Sequence, residues 1–171
     1  MNDTAPDISM SAITIRQPWA ALISCGAKRY ESRTWAPPAR LIKQRVAIHA
    51  GRAQPPRDLL TDEITAIVSE LGLQRHHWSN LHMGSVVCTA VIHGAYKVAQ
   101  FDQRLGLISI ANTLSGSTRL DAIQLRGADK HFADHRVGLW LWALGDVRSI
   151  DPPRPATGKQ GIWRWHVDRP I

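Results

Sequence analysis

Residues 12–15, AITI, are a short apolar run rich in β-branched side chains, a pattern that predicts a strand. QPWAALISCG follows. Pro18 stands where a first helical turn would begin, Trp19, Leu22 and Ile23 share one helical face, and Gly26 supplies a stop. RYESRTW then alternates. In a strand, Arg29, Glu31 and Arg33 point to one face and Tyr30, Ser32 and Thr34 to the other, with Lys28 entering on that second side. RVAIHAGR (45–52) predicts another strand, ending in a glycine turn. In TDEITAIVSELGL (61–73), Ile64, Ile67, Val68 and Leu71 recur at helical spacing between an acidic start and Gly72, so this segment predicts a packing helix. GSVVCTAVIHGAYKV (84–98) and GLWLWALGDVRSI (138–150) read as long buried strands. Between them, about 99–133 is polar, lacks firm periodicity and is long for one connection. It reads as an insertion, either a binding loop or a loosely packed excursion. DPPRPATGKQGIWRW reads as a proline-rich corner, a glycine turn and a last short strand. The first ten residues are polar and read as a disordered lead-in. Short helices among five or six strands predict an α+β fold, a small mixed sheet or barrel in a single domain over 11–171.

A length of 171 residues suits one domain with a sizeable core, and 44% hydrophobic with 20% charged residues is an ordinary globular balance. No apolar stretch reaches the length of a membrane span, and MNDTAPDISMS lacks the basic and apolar regions of a secretory signal. A cytoplasmic protein without membrane partners is expected. Cys25 and Cys88 sit in apolar runs and read as buried thiols of a reducing compartment.

Charge changes the picture more. The net charge is +7 and the pI about 10.1, a balance that favours polyanionic partners. The basic residues are interleaved with tryptophan: Trp35, Trp78, Trp163 and Trp165 each lie within a few residues of Arg or Lys. Cations beside aromatic faces suit phosphate attraction and base stacking, although any one tryptophan is more often core.

Lys28 and Glu31 lead the candidate chemistry. A lysine acts as nucleophile or base only after losing a proton, which a nearby carboxylate can accept. Arg29 and Arg33 flank Glu31. The plain alternative is a screened ion pair on a strand face. His49 ends a strand and is a further candidate, with Ser32 in reserve. His76, His77 and His82 match no common metal spacing, so neither a metal nor a cofactor is expected. ATGKQGIW is too short for a phosphate loop of the Walker type and reads as a tight turn presenting Lys159 and Gln160.

ITIRQPWAALISCGAKRYESRTW resembles the opening of the ASCH (activating-signal-cointegrator homology) domain family: a strand, a Gln-Pro-Trp helix start, then G-x-K-x-x-E-x-R, here Gly26, Lys28, Glu31 and Arg33. VAIHAGR, GSVVCTAVI, GLWLWAL and PPRPATGKQGIWRW resemble the later strands and the closing Gly-Lys-Gln-Gly-x-Trp element, so the likeness covers most of 11–166 apart from 99–133. The resemblance implies a PUA-like mixed β-barrel with short helices packed around it, and a cleft for RNA, a nucleotide or a nucleoside. On that reading Lys28 and Glu31 carry any catalysis, while Arg33, His49, Lys159, Gln160, Trp19 and Trp35 bind. It also implies an alternative: a metal-independent hydrolase, either a ribonuclease or an amidohydrolase of N4-acylcytidine using Lys, Thr and Glu. Lys28 matches that lysine, but the position three residues on holds Glu31 in place of threonine. CTAVIHGAY carries no acid where the second carboxylate is expected, and Asp134 is the nearest acidic candidate.

Overall fold

A computed structural model describes residues 8–54, 81–115, 122–126 and 129–167. In chain order the elements are β1 (Ile8–Ile15), α1 (Trp19–Ser24), β2 (Tyr30–Arg33), a 3-10 turn (Ala39–Leu41), β3 (Arg45–Ala50), β4 (Ser85–Asp102), β5 (Leu107–Ser115), β6 (Ala122–Gln124), α2 (Asp129–Phe132), β7 (Trp140–Pro155) and β8 (Ile162–Val167). The helix expected over 61–73 lies outside the described residues, as do Trp78, His76 and His77.

Among the described residues the strands form one sheet with the path β2-β7-β4-β3-β1-β8, and β5 and β6 extend it from β4. β1 and β3 run parallel; the other pairs are antiparallel. The fold is strand-rich with short helices, as expected. Closure into a barrel is not part of this pattern, because β2 and β8 end the path and no ladder joins them.

The spine is β4. Its first six residues, 85–90, are a continuous buried run, which suits a strand covered on both faces. It pairs with β3 from Ser85 to Val91, changes partner near Gly94, and continues with β5 to Asp102. β7 follows it along both halves, with three register shifts that let the pair bend. Ile13, Ile15, Val46, Ile48, Ile92 and Trp142 fill the main core, and α1 seats Ala20 and Ile23 on it. Trp163, Trp165 and Val167 of β8 point into a second cluster, while Arg164 and His166 point outward at the alternate positions.

Three expectations change. β1 begins at Ile8, taking in the last residues of the polar lead-in through a ladder with β8 that pairs Ile8 with Val167. Asp151–Pro155 is the end of β7, where Pro155 and Arg154 pair with Ser85 and Val86. Within 99–133, the segment read as aperiodic contains β5, β6 and α2. Ile108, Ile123 and Leu125 bury a third cluster there against Tyr96, Val98 and Leu141.

Candidate functional site

Gly26 takes φ of +79° and reverses the chain after α1. The Lys28 amide then donates to Leu22 O at 3.0 Å, which fixes the approach to β2. β2 begins only at Tyr30, so strand alternation does not govern Lys28. Its side chain therefore joins Glu31 and not the Tyr30, Ser32 and Thr34 face expected from the sequence.

Lys28 is 2% exposed, and such burial is tolerable for a cation only with partners. Nζ donates to Tyr30 O and, at 2.8 Å, to Glu31 Oε2. An ammonium has three donors, and these contacts use two. Glu31 Oε1 lies 3.3 Å from Arg33 Nε in an ion pair that lacks hydrogen-bond alignment. Arg33 Nη2 donates to Thr14 O at 2.9 Å, reaching from β2 to β1, which share no ladder. Lys28, Glu31 and Arg33 thus form a chain of opposite charges under one end of the sheet.

Above Lys28 and Glu31 lies a cavity of about 320 Å³, lined also by Ile15, Arg16, Trp19, Ser32, Phe132 and Asp134. That volume is at the small end of the range for ligand pockets, about 300–1,000 Å³. Gln17 braces one wall, accepting from the Ala21 amide at 3.0 Å and donating to His82 O at 2.8 Å. Arg16 donates to Gln54 O through Nε and Nη2, at 3.0 and 2.7 Å.

Residues 129–135 roof the cavity. Asp129, 2% exposed, accepts from the Arg29 amide at 2.9 Å and from Arg29 Nε at 2.7 Å. Arg29 Nη2 adds an ion pair at 2.6 Å. Ser32 Oγ accepts from the Asp134 amide at 2.9 Å. Hydrogen bonds from Arg136 hold the Asp134 carboxyl below its ordinary range. His135 Nε2 lies 3.2 Å from Asp129 O, and burial, with a smaller push from the Lys28 charge, keeps this imidazole below its ordinary value.

A neighbouring hollow of about 480 Å³ is lined by Thr14, Arg33, Trp35 and the turn Gly158–Gly161, including exposed Lys159 and Gln160. Thr14 Oγ1 donates to Lys159 O at 2.9 Å and accepts from Trp163 Nε1 at 3.2 Å. Buried His49 stands behind this turn. Its Nε2 donates to Ala156 O at 3.1 Å, its ring meets Trp163 edge-on at 5.6 Å, and Nδ1 has no partner among the described residues. Burial lowers its pKa.

The residues singled out in the sequence therefore divide between two adjacent hollows. Trp19, Lys28 and Glu31 line one; Arg33, Trp35, Lys159 and Gln160 line the other; His49 supports the second from within. Sequence reasoning missed Arg16, Phe132 and Asp129. The roof carried a faint signal in the acidic start and buried Phe of DKHF.

Against this geometry, the model of the ASCH domain family matches residues 13–116. The chain belongs to the ASCH domain family. No curated protein matches it. The ASCH match takes in Lys28, Glu31, Arg33 and His49, and ends at β5. The cavity roof and the Lys159 turn of this ASCH domain lie beyond the matched residues. The ASCH fold is PUA-like, in keeping with the strand-rich sheet. No helix among the described residues is long and apolar enough to cross a membrane.

Proposed function

We propose that this ASCH domain binds RNA or a nucleotide, with a base or nucleoside in the Lys28 cavity and phosphate at the adjoining Arg33–Lys159 hollow. Family membership is consistent with RNA binding. The observation that carries the reading is the unequal chemistry of the two hollows. The first mixes the donors Lys28 and Arg16 with the acceptors Glu31, Asp134 and Ser32 beside Trp19. A base edge offers both donors and acceptors, and its face stacks on aromatic rings. Two carboxylates there disfavour a phosphate. The second hollow presents Arg33, Lys159 and the Gly158–Gly161 backbone with no carboxylate in its lining among the described residues, which suits a phosphate.

This reading takes 11–171 as one ASCH/PUA-like domain, with about 99–133 elaborating the β4–β7 end of the sheet. Binding is tested by fluorescence anisotropy of a labelled single-stranded RNA over a salt series. Lys28→Ala weakens binding if the reading holds; equal affinity of variant and wild type throughout the series overturns it.

A second reading is a hydrolase on the same cavity, favoured by Lys28, Glu31, Ser32 and Asp134 sharing its wall. Lys28 donates to two acceptors, which suits holding a ligand better than attacking one. Incubation with a structured RNA and with N4-acetylcytidine, followed by chromatography with mass detection, separates the two. A product formed by wild type and not by Lys28→Ala replaces the binding reading with the hydrolase.

A further inference from the structure

A third hollow, of about 710 Å³, lies on the outer side of β8. Arg40, Lys159, Arg164 and His166 line it together with Ser11, Ile162 and Trp163, and among the described residues no carboxylate contributes. Strand alternation explains half of this arrangement. Trp163 and Trp165 are drawn into the core, so Arg164 and His166 must face out. Arg40 comes from the 3-10 turn whose Leu41 is anchored in the main core. Arg40, Lys159 and Arg164 are exposed, and among the described residues no carboxylate pairs with Arg40 or Arg164.

Lys159 lines both this groove and the Arg33 hollow. The Arg33 hollow in turn adjoins the Lys28 cavity, since Arg33, which lines the one, lies 3.3 Å from the carboxylate of Glu31, which lines the other. Three concavities thus follow one another, and among the described residues carboxylates line only the first. Such a series suits a strand that places one base in the mixed cavity and carries its phosphates onward over cations.

We propose that the Arg40–Lys159–Arg164 groove is a backbone track for single-stranded RNA, a contact surface separate from the Lys28 cavity. The proposal rests on the nucleic-acid reading above and extends it to how the strand leaves the cavity. Cations at an exposed groove act mainly through the polyelectrolyte effect. Each phosphate neutralised on a single strand contributes about 0.7 to the slope of log affinity against log salt.

The test compares wild type, Arg40→Gln/Arg164→Gln and Lys28→Ala, using a mixed-sequence single-stranded RNA of about ten nucleotides and each of the four ribonucleoside monophosphates. The double variant alters only exposed positions. It is expected to bind the oligonucleotide with a salt slope shallower by about 1.4, and to bind a monophosphate as wild type does. Lys28→Ala is expected to do the reverse, losing the monophosphate while keeping the slope. An unchanged slope in the double variant overturns the track even where Lys28→Ala weakens binding. A shallower slope with an unaffected Lys28→Ala supports the track and overturns the cavity reading instead. No RNA binding by wild type, or retention only on anionic vesicles, overturns both.

Discussion

Lys28 Nζ and Glu31 Oε2 meet at 2.8 Å with side chains 1% and 10% exposed, so each charge depends on the other for its place under the cavity. Removing one partner of a buried pair leaves an unpaired charge, at a cost of about 3–5 kcal/mol. Glu31→Gln and Lys28→Met are each expected to lose stability on that scale in urea denaturation. Lys28→Met/Glu31→Leu removes both charges and is expected to recover most of the loss, because well-packed apolar pairs replace buried ion pairs at little cost. It should still bind no nucleotide. A double variant as unstable as the worse single one would mean that the pair is held by more than its mutual charge.

Much of this arrangement was legible in short-range pattern. The G-x-K-x-x-E-x-R spacing singled out Lys28, Glu31 and Arg33, and Pro18 and Gly26 bracketed α1. The roof was not legible. Asp129 reaches Arg29 across 100 residues of sequence, and Thr14 reaches Lys159 across 145. No periodicity encodes such pairs. β5 and β6 were hidden because they are short or mixed in polarity, so their burial depends on neighbours and not on a clean alternation. Strand alternation does not assign the side of Lys28, because this residue stands two positions before the start of β2 at Tyr30.

Gly158 and His49 pack so closely that a methyl group on the glycine would overlap His49 Cε1 and Nδ1 and come within 2.8 Å of Thr14 Oγ1. His49 is buried against Trp163 and cannot swing aside. Gly158→Ala is therefore expected to displace the turn that carries Lys159, with a stability cost of about 1–3 kcal/mol and weaker RNA binding. His49→Ala in the same chain opens the space and should restore part of the affinity. If Gly158→Ala binds RNA and melts like wild type, the turn is not clamped by these contacts.

Stability should fall on mild acidification. Burial holds the imidazoles of His49 and His135 below the ordinary value of 6.5, so the unfolded chain takes up protons that the folded chain refuses. The linkage sign is then fixed: the stabilisation is complete above about 6.5 and is lost as pH falls from there through the folded-state values. His49 explains the direction structurally, since Nε2 already donates to Ala156 O and a proton on Nδ1 would find no acceptor among the described residues. The urea midpoint of wild type should drop between pH 7.5 and 5.5. His49→Asn/His135→Asn should show a smaller drop, whatever its stability at the higher pH. An equal drop in both proteins would assign the acid sensitivity to other groups.

The roof gives the last prediction. Asp129 lines no part of the cavity, yet it carries Arg29 on both oxygens and sits at the head of the segment that brings Phe132 and Asp134 over the ligand space. Asp129→Asn keeps an acceptor for the Arg29 amide and loses the charge that holds the guanidinium, at a cost of about 1–3 kcal/mol. Nucleotide affinity should fall several-fold although every lining residue remains. Arg29→Ala removes the same contact from the other side, so the two changes together should cost clearly less than their separate losses added. Hydrogen exchange supplies a local readout: the Asp134 amide, bonded to Ser32 Oγ, should exchange faster in each variant, while amides of β3 in the main core should not. Faster exchange throughout the sheet would instead mark Asp129 as a support of the whole fold, with no particular hold on the roof.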